Sequence, residues 1–271
     1  MNANIRRQSD SRKAEGHSDD HHDYQDLPRV ITAFSRDQPA GSYNAPHSHP
    51  RGQFLYASKG LMRVASEQGI WYIPPQRGLW IPAGVVHDQV MLSDTRMRTI
   101  YVERSQAERF GERVKVIEVD TLLRELILAL AEQPMLYPDD PPNRSIVTLI
   151  LHKLEHSRTV PLEIPWPRDR RLVTICQQIL EEPGKAQTIE QWSEVVGASS
   201  RTLIRLFISE TGITYRQWVQ QVRVARALTL LEAGEPVNRI ADSLGFASPS
   251  AFSAMFRRLL GESPRDYQER D

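Results

Sequence analysis

The chain has 271 residues, 40% of them hydrophobic, which is enough for one large domain or two ordinary ones. Its 34 basic and 34 acidic side chains cancel, which excludes a chain that binds nucleic acid or membranes through overall charge alone. No apolar run reaches the length that spans a bilayer, and the single cysteine excludes an internal disulfide, so we expect a cytoplasmic protein without a membrane partner.

The first 26 residues are rich in Asp, Ser, Arg and His and contain almost no apolar side chains. Such a composition buries too little apolar surface to order the backbone, so residues 1–26 are predicted to form a disordered tail. The stretch HSDDHHD (His17–Asp23) could hold a metal ion loosely. A solvated tail is the favoured interpretation, because a flexible cluster has no fixed geometry.

Residues 27–118 alternate short apolar runs with turn signals. Runs such as QFLYASKG, IWYIPPQRG and LWIPAGVVH combine β-branched and aromatic residues, and Gly and Pro separate them. This pattern is typical of short strands and predicts an all-β barrel or sandwich.

Three histidines in this β-region have a distinctive spacing. His47 and His49 lie two residues apart, which places both on one face of a strand; Gln53 follows, and the segment PAGVVH supplies His87. The pattern His-x-His-x3-Gln, followed by Pro-x-Gly-x2-His, resembles that of the cupin fold, a small β-barrel. In metal-binding cupins these positions are His, His, Glu and His. The resemblance implies a divalent ion at the three histidines, although Gln53 removes the anionic ligand.

The nature of the bound effector stays open at this point. Three neutral imidazoles can bind Zn, Fe, Ni or Mn, but the same histidines could line a metal-free pocket for an organic molecule. The predicted effector-binding residues are polar and aromatic side chains of the barrel: His47, His49, Gln53, Tyr56, Trp80 and His87.

Residues 119–158 change to a helical periodicity. The segments TLLRELILALAEQ and RSIVTLILHKLEH place apolar residues at i, i+3, i+4 and i+7. Two amphipathic helices need a surface to cover, which could be a second copy in a homodimer, the barrel or the C-terminal domain. We expect a helical dimerisation or connector region. The prolines of residues 159–169 then predict a stiff linker at a domain boundary.

From residue 170 onward the chain is predicted to be helical, and one pattern occurs there twice. The segment SSRTLIRLFISETG is followed 49 residues later by SPSAFSAMFRRLLG, with Ser, Phe and Gly at the same spacing. Ser199 and Ser248 suit helix N-caps, and Gly197 and Gly245 suit the left-handed residue after the preceding helix. Two copies with matching caps predict two helix-turn-helix units, each able to place its second helix in a DNA major groove. A generic helical hairpin is the alternative for one copy alone.

The segment between the copies, Thr214–Gly234, is predicted to be one long helix. Its 21 residues give a length of about 31 Å, close to the ~34 Å between successive major grooves on one face of B-DNA. With the motif ADSLGFASPSAFSAMFRRLLGESPRDY, residues 170–269 closely resemble the DNA-binding domain of the AraC/XylS family of transcription regulators. That domain consists of two helix-turn-helix units joined by a long helix, and regulators of this type commonly carry a cupin-like sensor at the N-terminus.

Outward positions of the two second helices are the predicted DNA contacts. Arg201 and Arg205 lie one turn apart, and either could bind O6 and N7 of guanine, the alternative being a phosphate contact only. The second unit carries small side chains there, which departs from family members with long polar ones and predicts weaker base recognition. The predicted DNA-binding residues are Ser199, Ser200, Arg201, Thr202, Ile204, Arg205, Ser248, Pro249, Ser250, Ala251, Ser253 and Arg257.

The predicted fold is α+β and multidomain. It consists of an N-terminal cupin-like β-barrel followed by an all-α domain, residues 170–271, of two helix-turn-helix units joined by a long helix. The predicted function is sequence-specific, DNA-binding transcription regulation, modulated by a small molecule or metal ion and without enzymatic activity. Expected partners are double-stranded DNA, the effector and a second copy in a homodimer, with RNA polymerase as an open candidate. The alternatives are a metal-dependent cupin enzyme with an appended helical domain, and a constitutive DNA binder with a degenerate sensor.

Overall fold

The computed structural model describes residues 16–18, 20–160 and 162–269, and these divide into two compact units. The first unit contains the described residues up to 64 together with residues 73–160, and the second contains residues 65–72 together with those from 162 onward. The first is built mainly on strands and the second mainly on helices, as the sequence predicted. Among the described residues, no helix is long and apolar enough to cross a membrane.

The strands fall into separate sheets rather than one closed barrel. They are β1 (Ile31–Gln38), β2 (Tyr43–His47), β3 (Gly52–Lys59), β4 (Met62–Ser66), β5 (Gly69–Ile73), β6 (Arg77–Ile81), β7 (His87–Met91), β8 (Thr95–Val102), β9 (Lys115–Glu118), β10 (Thr159–Val160) and β11 (Glu163–Pro165). In the first unit one sheet has the order β1-β8-β3-β6-β9-β10, and β4, β7 and β2 are neighbours in another. Closure would require every edge strand to pair, and within the described chain β1 and β10 are the edges of the first sheet.

The first sheet has two faces with different roles. On β3, Gln53 lies opposite Tyr101 of β8, while the next residue, Phe54, lies opposite Trp80 of β6. Because successive side chains of a strand point to opposite faces, Gln53 and Tyr101 share one face. Phe54, Trp80 and, two residues further along β3, Tyr56 share the other.

Helices cover the face that carries Phe54, Tyr56 and Trp80. After the short α1 (Arg104–Ala107) and the 3-10 helix Glu108–Phe110 come α2 (Thr121–Ala131) and α3 (Pro141–His156). The buried apolar side chains of α2 and α3 join one core cluster with those of the sheet: Leu123, Ile127, Leu130, Ile150 and Leu154 with Ile31, Phe54, Tyr56, Trp80 and Ile100. The sequence left three candidate surfaces for these helices: a second copy, the barrel and the C-terminal domain. The structure shows that they cover the sheet of the first unit.

The helix α3 begins three residues before the predicted segment. Asp140 caps it by accepting a hydrogen bond from the backbone N–H of Asn143, and Pro141 and Pro142 occupy the first turn. Proline is tolerated there because its missing N–H would have no partner inside the helix. The last prolines of the Pro-rich stretch between the two helices therefore form the first turn of α3.

The predicted disordered tail requires a correction for its described part. Residues His21–Tyr24 form a 3-10 helix whose N-cap, Asp20, accepts from the backbone N–H of His22, and the Tyr24 side chain is only 1% exposed. Arg51 donates hydrogen bonds to the backbone carbonyls of Gln25, Leu27 and Arg29. One buried tyrosine and one arginine distant in sequence therefore order a segment of polar composition. Residues 1–15 of the predicted tail lie outside the described residues.

The predicted linker at residues 159–169 also departs from expectation. Its described residues form no helix, as its prolines indicated, but they contribute two strands. Within the first unit β10 pairs with β9, and within the second β11 pairs with β5, with Ile164 opposite Ile70. Both are the last strands in their sheets, and edge strands tolerate proline because one side of the backbone needs no partner.

The second unit consists mainly of helices, and residues between 164 and 225 form one core cluster in it. The helices are α4 (Arg170–Glu181), α5 (Ile189–Val196), α6 (Ser200–Thr211), α7 (Tyr215–Glu232), α8 (Val237–Ser243), α9 (Pro249–Leu260) and α10 (Pro264–Gln268), with a 3-10 helix at Pro183–Lys185. Cys176 packs in that core with Phe207 and Trp218. The two helix-turn-helix units are α5–α6 and α8–α9, and α7 connects them along the chain. This helix has 18 residues and is therefore about 27 Å long, shorter than the 31 Å expected, because it ends before Gly234.

Candidate functional site

Strand pairing brings His47 and His87 together in the first unit. His47 ends β2, His87 begins β7, and the two lie opposite each other in the antiparallel register with their ring centroids 4.5 Å apart. His49 follows β2, and its ring centroid lies 4.9 Å from that of His47 and 5.5 Å from that of His87. The structure therefore places the three predicted metal ligands side by side.

A fourth histidine, which sequence reasoning did not select as a ligand, joins them. His21 of the N-terminal 3-10 helix has its ring centroid 5.0 Å from His49 and 5.4 Å from His47. The ligand nitrogens of His21, His47 and His49 all lie within 4.8 Å of one another. We call His21, His47, His49 and His87 the histidine cluster. The sequence signal for His21 was the stretch HSDDHHD, but the predicted disorder of the tail argued against a metal site there.

Backbone carbonyls orient two members of the histidine cluster. The Nδ1 atom of His47 lies 2.7 Å from the carbonyl oxygen of Ala45, and that of His87 lies 3.0 Å from the carbonyl oxygen of Val85. A carbonyl oxygen only accepts hydrogen bonds, so in the neutral ring Nδ1 carries the proton and Nε2 carries the lone pair. Metal-binding histidines are almost always oriented in this way, by a hydrogen bond from the ring nitrogen that does not bind the metal.

Several nitrogens of the histidine cluster are buried without a hydrogen-bond partner in the described chain. They are Nε2 of His21, both ring nitrogens of His49 and Nε2 of His87. Burial lowers the pKa of His49 to about 3, helped by the neighbouring His47 and His87, and burial lowers the pKa of His87 to about 4. Both rings are therefore neutral at pH 7. Unpaired buried donors and acceptors are costly, and neutral imidazole nitrogens suit zinc, nickel, copper or iron, so the residues present fit a divalent transition-metal ion.

Gln53 lies beside the histidine cluster as a neutral neighbour. It is 2% exposed, its side chain is hydrogen-bonded to the hydroxyl of Tyr101, and its Oε1 has no hydrogen-bond partner among the described residues. The Tyr101 ring in turn packs edge-on against His49, with centroids 4.9 Å apart. The Gln53 amide is neutral, so it adds no negative charge beside the histidine cluster.

The structure does not bring Tyr56 and Trp80, two predicted effector-binding residues, to the histidine cluster. Both are buried in the core beneath α2 and α3, on the face of the first sheet opposite to that of Gln53. The hydroxyl of Tyr56 interacts with Arg124 of α2, and the indole N–H of Trp80 points to the carbonyl oxygen of Gly111. The physical reason is strand alternation, since each lies an odd number of positions from Gln53 along β3 or from its partner Ile81 on β6.

In the first helix-turn-helix, the caps have the expected geometry. Gly197 adopts the left-handed conformation with φ 65°, and the Ser199 hydroxyl accepts from the backbone N–H of Thr202 and contacts the Thr202 hydroxyl. Arg201 and Arg205 project from α6 as exposed side chains without a hydrogen bond or ion pair to any described residue. Ile204 lies between them and is 46% exposed, while Ser200 is half-buried. Both guanidinium groups are therefore free to contact another molecule.

The second helix-turn-helix repeats this geometry with smaller side chains. Gly245 has φ 71°, and Ser248 accepts from the backbone N–H of Ala251. On α9 the predicted contact residues Pro249, Ser250, Ala251 and Arg257 are exposed, and Ser248 and Ser253 are half-buried. The neighbouring Arg258 donates to the side chain of Gln220, and Arg223 donates to the Pro183 carbonyl and stacks over Phe246, so these two arginines are engaged within the unit.

Comparison with known proteins gives concordant matches for both halves of the chain. Residues 192–270 match the model of a helix-turn-helix domain, and residues 30–164 match that of an AraC-like ligand binding domain. The HTH-type transcriptional regulator NimR of Escherichia coli (strain K12) is 30% identical over 221 residues, which cover 82% of this chain and 81% of NimR. The probable transcriptional regulator LumQ of Photobacterium leiognathi is 26% identical, with 82% and 91% covered.

Two solved structures are also similar. ToxT from Vibrio cholerae aligns over 89% of this chain and 98% of its own, with 11% identity and a TM-score of 0.38. The DNA-binding domain of AdpA, a global transcriptional factor crystallised with a target DNA, aligns over 36% of this chain and 89% of its own, with 35% identity and a TM-score of 0.35.

Proposed function

We propose that a divalent transition-metal ion is the effector of this chain, which belongs to the AraC family of transcription regulators and carries an AraC-like ligand-binding domain ahead of its helix-turn-helix domain. The ion would be held by His47, His49 and His87. What supports the proposal is one observation: buried imidazole nitrogens of His49 and His87 have no hydrogen-bond partner among the described residues. Because both rings are neutral at pH 7, their lone pairs are available to a metal.

The ligand chemistry favours some ions over others. Neutral nitrogen ligands suit zinc, nickel, copper and iron, whereas magnesium and calcium require oxygen ligands that the histidine cluster does not offer. With Gln53 in place of a carboxylate, the ion keeps its full double positive charge inside the first unit. The bound ion supplies charge and a cross-link between β2 and β7. The carbonyls of Ala45 and Val85 orient the imidazoles of His47 and His87, and His49 and His87 are buried.

The helix-turn-helix domain has DNA as its partner, and we propose that the two units contribute unequally. Arg201 and Arg205 of α6 would contact bases, while α9 presents Pro249, Ser250 and Ala251, which are too short for bidentate base contacts and would pack close to the backbone. The exposed Arg257 would reach a phosphate. Sequence preference would therefore come mainly from the half-site under α6.

Further features of the protein follow as proposals from the same premise. The relatives are named as transcriptional regulators, and we propose that the protein regulates transcription without catalysing a reaction of its own. The exposed Leu122 of α2 and Leu149 of α3 offer apolar area for a homodimer. The protein would act in the cytoplasm on double-stranded DNA, where a contact with RNA polymerase is available to it. A cupin-like arrangement of the sheets of the first unit stays a prediction.

Metal analysis of the purified full-length protein tests the effector proposal directly. We expect about one zinc, nickel, copper or iron ion per chain, lost in His49→Ala and retained in His152→Ala, a matched control that removes an exposed histidine of α3. Anisotropy with operator DNA should then change when the ion is removed by a chelator and recover when it is restored. A wild-type protein that binds no ion under these conditions contradicts the proposal. A thermal-shift screen with organic compounds would then test the small-molecule alternative, and turnover of an added substrate would support the cupin-enzyme alternative.

A further inference from the structure

We propose that His21 is a ligand of the same ion, so that the bound metal fastens the N-terminal segment, residues 16–27, onto the first unit. The inference rests on the proposed metal site at His47, His49 and His87. It adds a ligand from outside the β-strands and gives the ion a structural consequence, namely the docking of a specific piece of the chain.

The geometry of His21 is that of a ligand rather than of a surface side chain. Its nitrogen belongs to the set with those of His47 and His49 in which all ligand atoms lie within 4.8 Å of one another. Its Nε2 is buried and has no hydrogen-bond partner in the described chain, and its Nδ1 lies 4.0 Å from the Oδ1 of Asp20. A carboxylate on the Nδ1 side favours the proton there, which leaves the Nε2 lone pair for the cluster.

The donor count supports a ligand from the N-terminal segment. A structural zinc site is almost always four-coordinate, and three histidines alone leave one position open. The residue that supplies an anionic ligand in metal-binding cupins is Gln53 here, and its amide is already hydrogen-bonded to Tyr101. His21 brings a fourth imidazole to the site: its ligand nitrogen lies within 4.8 Å of those of His47 and His49, and the ring of His87 lies beside the rings of His47 and His49.

Contacts that do not involve the ion hold His21 in position. Tyr24 packs edge-on against Phe34, with centroids 5.2 Å apart, and Arg51 holds the carbonyls of the residues that follow. On the N-terminal side of His21, the backbone N–H of Ser18 donates to the Tyr24 hydroxyl, the Ser18 hydroxyl donates to Asp23, and the carbonyl of Gly16 accepts from the backbone N–H of Met135. The ring is therefore positioned in advance from both sides, and the ion would add a further link between this segment and the first unit.

If the ion contacts His21, metal binding and docking of the N-terminal segment must affect each other, and this coupling can be measured. An ion that contacts His21 binds the docked form of the segment better than the undocked form, so metal binding must stabilise docking. Removing the His21 side chain must weaken metal binding and also abolish the effect of metal on the segment. A residue that contacted neither the ion nor its ligands would show neither effect.

The test uses the full-length, metal-free protein titrated with Co²⁺ and, in competition with a chelator, with Zn²⁺. Loss of a residue that only hydrogen-bonds to a metal ligand costs roughly 10- to 100-fold in metal affinity. Loss of a ligand should cost at least as much, so we expect His21→Ala to weaken Zn²⁺ binding at least tenfold and to change the visible Co²⁺ spectrum. His21→Gln, which keeps a polar side chain, should do the same. The matched control is His152→Ala, which removes an exposed imidazole of α3 and should leave the affinity within about twofold of wild type.

Hydrogen exchange of the peptide that covers residues 16–25 provides the second readout. Zn²⁺ should slow exchange there in the wild type and in His152→Ala, but not in His21→Ala or His21→Gln. If His21→Ala undocks the segment even without metal, the affinity of His21→Gln decides the question. Wild-type affinity in His21→Gln, together with loss of binding in His49→Ala, would overturn the role of His21 and leave the metal site standing. A wild-type protein that takes up no Co²⁺ or Zn²⁺ would overturn both.

Discussion

Arg201→Ala should weaken specific DNA binding by about one to two orders of magnitude without affecting the fold. The side chain is exposed on α6 and makes no hydrogen bond or ion pair to another described residue. Its removal therefore costs the free protein almost nothing in stability. A bidentate contact with guanine contributes about 1–3 kcal/mol of discrimination. At ~1.4 kcal/mol per tenfold change, this corresponds to roughly 5- to 150-fold in the dissociation constant.

Fluorescence anisotropy against operator and scrambled DNA at several salt concentrations separates the two roles of this arginine. A base contact predicts loss of affinity for the operator with little change for scrambled DNA, whereas a phosphate contact predicts equal loss for both and a salt slope reduced by about one. Arg265→Ala is the control, since that exposed guanidinium of α10 pairs with Glu269, the residue that follows the helix. Equal affinity of wild type and Arg201→Ala for the operator would refute the assignment of α6 as the base-contacting helix.

Three further predictions concern stability and reactivity. In the metal-free protein the pKa values of His49 (about 3) and His87 (about 4) lie below the unfolded value, so the unfolded state binds more protons as the pH falls. The free energy of unfolding, measured in urea, should drop below pH 6.5 by up to about 1.4 kcal/mol per pH unit for each histidine, and a pH-independent value from 7 to 5 would contradict this. Gly184→Ala should destabilise the second unit by about 1–3 kcal/mol in thermal unfolding, because the added Cβ would lie 2.1 Å from the backbone oxygen of Ser243; a wild-type melting temperature would contradict this. Burial raises the pKa of the Cys176 thiol, so thiol reagents should label it only after denaturation, and rapid labelling of the native protein would show that the core around it opens.

Local features of this protein could be predicted from sequence, and the structure confirms them. The caps at Ser199 and Ser248 and the left-handed glycines Gly197 and Gly245 depend on residues within one turn, so the sequence contains all the information they need. The pairing of His47 with His87 across two strands was also accessible. The spacing of each motif indicates where a strand ends or begins, and an antiparallel register then brings the ends together.

Features that depend on distant contacts were missed. His21 lies in a polar segment whose average composition predicts disorder, and its order comes from Tyr24 and from an arginine in the loop before β3. Composition averages over these two side chains, so it cannot detect them. The separation of Tyr56 and Trp80 from the histidine cluster was missed for another reason. An aromatic residue on a strand suits either face, and only the register relative to Gln53 distinguishes the face beneath α2 and α3 from the face of the histidine cluster.

For an effector to regulate DNA binding, its affinity must differ between the arrangements that the protein can adopt. An ion held only by His47, His49 and His87 would contact β2, β7 and the residues beside them, whose positions the strand pairing already determines. Such an ion would bind tightly but would hardly change the populations of the arrangements, because equal affinity for two arrangements leaves their populations unchanged. The N-terminal 3-10 helix is different, since it carries a cluster nitrogen but lies outside the strands, so their register does not determine its position. Among the described elements at the cluster, this segment is therefore the one whose docking we expect metal binding to change, and such a change is what regulation of DNA binding by the ion would require.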